Sequence, residues 1–387
     1  MNFNETYLLN LKVNENLVEI NESDISFDIH SSINSFYNNA NLKIKDSTGY
    51  LRENLLFTEG VLYELSFGFK DNFLTCEYVF ESDDTKEQER NDTVSLPTSL
   101  NLINSFYKKE EIESKGFYSK ISEVVKSIFS QETFTLNIEE TSNKNYWYRA
   151  LQTQRDFIET LCKKAVPFGE KSPYYCFFNS DGSFNFVSYD YLNSQNSTIT
   201  LNGYNEIDSQ VSLNTIYQIK EFKNGSLKTK PFWNRKVYTR NLSDGEYVES
   251  KCNIKDYPKE VSASLPIICD QSLFTGYVNT GFKKDLSYNN ALINYGMKTT
   301  YFLERFIVTT LFNPNLLAGK KITLNLNYSE NVFEVKKANY LSGDYIIEDC
   351  VHSWDGERKR GFTTLIVGRK FANVPSNYKI KENLINV

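Results

Sequence analysis

Two histidines, His30 and His352, stand among 387 residues, and they bound the chemistry this chain can do. A serine or cysteine nucleophile needs a base within hydrogen-bond reach, and histidine is the usual one. Both histidines fall in strand-like runs, and His30 sits on the polar side of Ile25-Ser26-Phe27-Asp28-Ile29. A histidine so placed is expected to be structural. The six cysteines, Cys76, Cys162, Cys176, Cys252, Cys269 and Cys350, include no Cys-x-x-Cys pair, so a zinc site is not expected. Adjacent carboxylates at Asp83/Asp84, Glu110/Glu111 and Glu139/Glu140 are the residue types of a glycosidase acid pair. Each pair lies in a hydrophilic run, where charge is usually a solvated face. Neither a Gly-x-Gly-x-x-Gly turn nor a P-loop occurs. No catalytic residue, metal ligand or cofactor is expected.

Charge and anchors narrow the classes further. The net charge is −6, whereas a dedicated nucleic-acid binder shows a basic face. The basic run Glu357-Arg358-Lys359-Arg360 is expected to be a surface hairpin turn and not a nucleic-acid contact. Of Trp147, Trp233 and Trp354, the last lies beside that turn and is expected at an interface. The opening Met1-Asn2-Phe3-Asn4-Glu5 lacks the basic and apolar regions of a signal peptide. The cysteines are therefore expected to be reduced and mostly buried. No apolar run reaches the ~18–20 residues of a membrane-spanning helix.

The elements that would position these residues are mostly strands. Aromatic residues make up 15% of the chain, with 26 Tyr and 28 Phe, and aromatics favour strands. Tyr7, Leu9, Leu11 and Val13 alternate with polar neighbours, as do Ile25, Phe27 and Ile29, then Leu42 and Ile44. After Gly60 come Val61, Tyr63, Leu65, Phe67 and Phe69, then Leu74, Cys76, Tyr78 and Phe80. This is the period of half-buried strands. From about Leu100 the period changes. Phe117, Ile121, Val124, Val125, Ile128 and Phe129 recur at helical spacing, as do Leu151, Ile158, Leu161, Cys162 and Ala165. A hairpin follows, turning at Asp181-Gly182. Strands return at Ile216 to Phe222, and residues 223–288 read as an insertion with short strands, followed by a helical segment over 289–301. Leu303 to Phe312 feeds the turn Asn313-Pro314-Asn315. Ile322, Leu324 and Leu326 then share a face, and 327–340 is a polar excursion. The last two strands are Tyr345 to His352 and Phe362 to Val367.

The expected fold is mainly β with an α+β middle domain: two small antiparallel β-barrels and an inserted α+β domain. Residues 1–97 form the first barrel. Residues 98–200 form the α+β domain, with two helices and a hairpin. Residues 201–301 hold the first strands of the second barrel plus an irregular insertion with a helix. Residues 302–372 complete the second barrel, and 373–387 are a C-terminal tail. A short echo supports two related barrels: Leu55-Leu56, Gly60 and the strand after it parallel Leu316-Leu317, Gly319 and the strand after it.

Three blocks carry a family resemblance. The first is Asn41-Leu42-Lys43-Ile44-Lys45-Asp46-Ser47-Thr48-Gly49 with Glu59-Gly60-Val61. The second is Gln154-Arg155-Asp156-Phe157-Ile158-Glu159-Thr160-Leu161-Cys162 followed by the hairpin Tyr174 to Phe186. The third is Asn313-Pro314-Asn315-Leu316, Gly319, Ile322, Gly343-Asp344-Tyr345-Ile346-Ile347, Val351-His352 and Thr363-Thr364-Leu365. In this order they resemble the T4-type baseplate hub proteins of phage tails, whose fold is also that of the base of type VI secretion spike proteins. Residues 223–290 have no counterpart in these blocks. The resemblance implies tube-type barrels and a homotrimer whose six barrels present sixfold pseudo-symmetry. It implies contacts with a tail tube protein, a spike protein and a tape measure protein. It further implies a place in the virion tail after assembly in the bacterial cytoplasm, and a channel through which DNA passes without specific binding. Other readings left open are a cell-wall hydrolase on the same fold and a receptor- or carbohydrate-binding β-protein.

Overall fold

The computed structural model describes residues 8–18, 20–46, 60–69, 72–83, 96–168, 172–203, 213–224, 234–241, 247–252, 273–280, 294, 298, 301–302, 304–331, 334–337 and 341–369. Within them the chain is mainly β, with few helices.

β1 (Leu8–Val13) and β2 (Asn16–Val18) form a hairpin whose turn residues, Asn14 and Glu15, both take positive φ. That turn geometry matches the right-handed twist of the flanking strands. β3 (Ile25–Ser32), β4 (Asn39–Asp46), β5 (Leu62–Phe69), β6 (Asn72–Asp83) and β7 (Leu96–Asn104) complete an antiparallel run ordered β3-β4-β7-β6-β5-β1-β2. The alternation in the sequence is what buries it: Ile25, Phe27, Ile29, Tyr63, Leu65, Phe67, Leu74, Cys76 and Tyr78 enter one core. Each such side chain contributes about 1.5–3 kcal/mol by leaving water. The run continues through Asn104, past Pro97. Pro97 pairs with Lys45 of β4, whereas pairing with β6 begins only at Leu100. The missing N–H therefore removes no rung on the β6 side.

β8 (Glu113–Lys120) leads into the helix Ile121–Ile128, and β9 (Leu136–Ile138) and β10 (Lys144–Gln152) into the helix Gln154–Lys164. Thr153 caps the second helix by accepting a hydrogen bond from the Asp156 N–H. Phe117 and Leu151, which keep helical phase in the sequence, lie in β8 and β10. β11 (Tyr174–Phe178) and β12 (Phe184–Ser188) form the hairpin around Asp181-Gly182, where Gly182 takes φ +76°. The short helix Tyr189–Ser194 follows. Phe129, Phe157, Leu161, Phe178 and Phe184 make this core, and Phe36 and Tyr37 reach into it from the β3–β4 connection.

β13 (Ile199–Gly203) and β14 (Thr215–Asn224) start a six-stranded barrel. β15 (Asn234–Asn241), β16 (Tyr247–Cys252) and β17 (Leu273–Thr280) form a separate sheet ordered β16-β15-β17 within the expected insertion. Asn294, Lys298 and Tyr301 are helical. The barrel resumes with β18 (Glu304–Leu311) and β19 (Lys321–Asn325). The polar excursion holds a hairpin, β20 (Asn327–Asn331) with β21 (Glu334–Lys337). β22 (Gly343–Asp355) and β23 (Arg360–Arg369) complete the barrel. Its six strands close in the order β19-β13-β14-β18-β23-β22 and back to β19. β13 runs parallel to both its neighbours, so the barrel is mixed and not antiparallel as expected. Side chains alternate identically in parallel and antiparallel strands, so the pattern cannot distinguish them.

β22 joins the two halves. It pairs with β19 near Gly343, with β23 along its length, and with β3 from Asp349 to Trp354. One 13-stranded sheet therefore runs through the molecule. Trp354 is a correction to the expected interface position. It is buried in the first core, 5.1 Å from the Phe67 ring, with its indole N–H donated to the Glu22 carbonyl. Its place on the inward side of β22 decides this. Trp147 is likewise buried and donates to the Ser119 carbonyl. Gly319 takes φ +80° ahead of β19, and Gly60 takes φ +87° ahead of β5, which supplies the describable half of the echo. Leu55-Leu56, Asp84, Trp233, Cys269 and the 373–387 tail lie outside the described residues.

Candidate functional surface

Two of the residues with chemical potential meet. His352 and Cys350 point the same way from β22, with Cys350 Sγ 3.4 Å from His352 Nε2. The other ring nitrogen, Nδ1, lies 3.0 Å from Thr363 Oγ1, and Cys350 Sγ donates to the Leu316 carbonyl at 3.0 Å. A working Cys–His pair needs a thiolate and an imidazolium. Here both groups are pushed the other way. Burial holds the His352 pKa down at about 4 and drives the Cys350 thiol well above its ordinary value. Both side chains are fully enclosed, so the pair is neutral and out of a substrate's reach. His30 lies elsewhere, opposite Asn39 of β4 and Val351 of β22.

The carboxylates are also occupied with structure. Glu139 accepts hydrogen bonds from the Ser188 N–H at 2.6 Å and the Ser188 hydroxyl at 3.1 Å, at the start of the helix Tyr189–Ser194. Burial raises its pKa, and the Ser188 donors oppose that rise. Glu110 accepts from the Arg155 N–H at the start of the helix Gln154–Lys164. Asp83 ends β6. The basic run forms the turn between β22 and β23, and Glu357 pairs with Lys45. Cys76, Cys162, Cys176 and Cys350 are free thiols.

Three groups that sequence reasoning missed hold the central sheet. Arg305 donates Nε to Glu348 Oε1 at 2.6 Å and Nη2 to Oε2 at 2.8 Å, a fork-to-fork pair. A Cβ on Gly368 would stand 2.6 Å from both Glu348 Oε1 and Phe302 Cδ1, so only glycine leaves room for the carboxylate. Beside it, Arg369 pairs with buried Glu304 and stacks over Tyr345 at 4.5 Å. Glu304 and Arg369 stand in phase with the inward residues Phe306, Val308, Leu365 and Val367, which was the available signal, whereas Arg305 is out of phase with them.

The outward side of the same sheet is the candidate surface. Part of it is small, polar side chains bonded to one another, interspersed with exposed Leu62, Phe73 and Tyr217. Asn41 donates to Asn101 at 2.8 Å, and Asn101 to Ser82 at 3.0 Å, linking β4, β7 and β6. Thr309 and Thr364 hydroxyls meet across β18 and β23 at 3.3 Å. Asn325 donates to Asn202 at 2.9 Å across β19 and β13. Such cross-strand pairs each add roughly 0.2–1 kcal/mol. The described basic groups there are mostly committed: Lys45 to Glu357 and Arg305 to Glu348, while Arg360 stands opposite Asp355.

No protein-family model matches the sequence, and no curated relative matches it. Solved structures do match. The tail protein from Neisseria meningitidis MC58 superposes with a TM-score of 0.55 at 10% identity, over 94% of this chain and 96% of its own. The 43 kDa tail protein of prophage MuSo2 from Shewanella oneidensis superposes at 0.58 and 8% identity, over 94% and 99%. This chain has the fold of those tail proteins. A chain of the Francisella PdpA-VgrG complex, in its half-lidded form, superposes at 0.50 and 10% identity, covering 97% of this chain and 60% of that one. The tail-protein fold thus spans both sheet halves and the α+β region between them.

Proposed function

We propose that the chain is the structural hub of a phage tail baseplate, or of a related contractile injection machine. Three copies form a ring whose six barrels, two per chain, match a hexameric tail tube on one side. On the other side the ring seats a trimeric spike protein, and a tape measure protein contacts it from within. The observation that carries this reading is the end-to-end match with two tail proteins, more than nine-tenths of each chain on both sides. The continuous sheet supports it, because β22 pairs with strands of both halves and so holds them in fixed relation. We read the outward polar face as channel lining. Affinity for DNA comes from releasing counterions at phosphates neutralised by Lys and Arg. A face of bonded Asn, Ser and Thr lets DNA pass without holding it. The role is structural and not enzymatic, in keeping with the neutral, enclosed Cys350–His352 pair. The protein then works in the virion tail. Light scattering of the purified chain tests the reading: a species of three copies is expected, and a single copy at micromolar concentration would overturn it.

A further inference from the structure

Two thiols meet where the helix Gln154–Lys164 packs on β11. Cys162 shares the inner face of that helix with Phe157, Ile158 and Leu161, all buried, as a period of 3.6 requires. Side chains alternate along β11. Tyr174, Cys176 and Phe178 turn toward the helix, while Tyr175 and Phe177 enter a different core with Ile33 and Ala318. Cys162 and Cys176 are thereby in hydrogen-bond contact across the helix–strand interface. Cys162 is enclosed, whereas Cys176 is half-buried, because β11 is the outer strand of the sheet β11-β12-β9. The other two described thiols differ. Cys76 donates to the Ser180 carbonyl and Cys350 to the Leu316 carbonyl, and neither hydrogen-bonds to another thiol among the described residues.

A cation stands beside the pair. Lys298 acts on both sulfurs in the direction that favours a thiolate, and its ammonium lies 4.4 Å from the centre of the Tyr175 ring. Asn294, from the same segment, donates Nδ2 to the carbonyls of Lys163 and Ala165 at 3.0 Å and 2.8 Å. Those bonds tie the segment to the end of the helix that carries Cys162. Burial pushes the Cys162 thiol up, but the hydrogen bond with Cys176 and the Lys298 charge outweigh it, and its pKa falls below the ordinary value. The same hydrogen bond, together with burial, holds the proton on Cys176. The two sulfurs thus share one proton unequally, with a base built in beside the reachable thiol.

We infer that Cys162 and Cys176 form an oxidisable dithiol site, which a small-molecule disulfide converts to a Cys162–Cys176 bridge. The reagent meets Cys176, the half-buried sulfur. Cys176 passes its proton to the Cys162 thiolate and attacks one reagent sulfur, and the first reagent thiolate leaves. Cys162 gives that proton to the departed thiolate and attacks the Cys176 sulfur. The bond from Cys176 to the reagent breaks, and the second reagent thiolate leaves. One reagent S–S bond is exchanged for one protein S–S bond, and the reagent is reduced as the dithiol is oxidised. The sulfurs move from hydrogen-bond contact to a bond of about 2.0 Å. The bridge staples the helix Gln154–Lys164 to the hairpin and closes the chain between them into a loop, which restricts the unfolded state. This chemistry does not depend on the trimeric reading. That reading supplies only the occasion: assembly in a reducing cytoplasm, then exposure outside the cell, where disulfides persist.

The test uses the full chain, purified reduced and held in native buffer with 2-hydroxyethyl disulfide. It is expected to lose two free thiols and to yield a Cys162–Cys176 peptide pair on non-reducing digestion. The urea midpoint is expected to rise with the bridge and to return on reduction. Lys298→Met is expected to slow bridge formation by about threefold or more, since a cation beside a thiolate favours it. Cys176→Ser is expected to abolish the bridge. Both thiols still free after treatment, while the same reagent oxidises the urea-unfolded chain, would overturn the inference. So would a bridge from either cysteine to Cys252 or Cys269. An unchanged rate in the Lys298→Met chain would overturn the part given to Lys298. A monomeric chain that forms the bridge removes the trimer and leaves the dithiol site standing.

Discussion

The buried imidazole of His352 makes stability depend on pH in a direction that can be worked out. Its pKa falls from 6.5 to about 4 because burial penalises the charged ring. A base with a depressed folded pKa contributes stability that is fully present above the unfolded value. As pH falls below 6.5 the unfolded chain takes up the proton first, and stability is lost until about pH 4, where the folded form protonates as well. At about 1.36 kcal/mol per pH unit, the window from 6.5 to 4 amounts to about 3 kcal/mol, of which roughly 2 kcal/mol is gone by pH 5. His352→Gln keeps polar contact with Thr363 and removes the titration. Urea unfolding of both proteins at several pH values isolates the effect as the difference between their slopes. With two histidines in the chain, NMR can follow the ring directly, and one imidazole should remain neutral down to about pH 5. Parallel pH slopes for the two proteins, or a His352 resonance titrating near pH 6.5 in the folded state, would refute the reasoning. Either result would also reopen the Cys350–His352 contact as a reactive pair.

Gly368→Ala should destabilise the six-stranded barrel by about 1–3 kcal/mol, the usual effect of overpacking, because the new Cβ meets Glu348 and Phe302 at 2.6 Å. Thermal unfolding reads the loss, and an unchanged midpoint would contradict it. Trp354→Ala should cost about 3–5 kcal/mol as a core deletion and remove part of the tryptophan fluorescence change on unfolding, whereas an interface tryptophan would alter assembly first. Gly319→Ala combines a φ of +80° with a Cβ 2.8 Å from the Phe177 ring. Its loss in denaturant midpoint should therefore exceed that of an ordinary surface Gly→Ala change. Cys76 and Cys350, both buried with pKa values raised by desolvation, should resist a thiol reagent until urea unfolds the chain.

Much of the strand framework was legible because burial and period coincide. β3, β5, β6 and β19 place their inward residues where the alternation puts them. The Asp181-Gly182 turn was legible because its chemistry is local: one glycine at φ +76° between two aromatic strands. What was hidden depended on partners distant in sequence. The parallel sense of β13 is set by β14 and β19, not by Ile199 to Gly203 themselves. Trp354 looked peripheral beside a charged turn, yet its inward register on β22 drops it onto Phe67. Arg305, Glu348 and Gly368 come from three strands, and no spacing rule links them. Phe117 and Leu151 misled because a strand residue next to a helix can keep the helix's phase by chance. The polar face was invisible for a related reason: Asn41, Asn101 and Ser82 are unremarkable singly and become a surface only when three strands align.

Electron microscopy of the purified particle tests the central claim most directly. The account predicts a ring of three chains with six similar lobes around an open channel, the Asn, Ser and Thr face of the shared sheet lining that channel. A solitary chain, or an assembly whose channel is closed or lined by a different face, would contradict it.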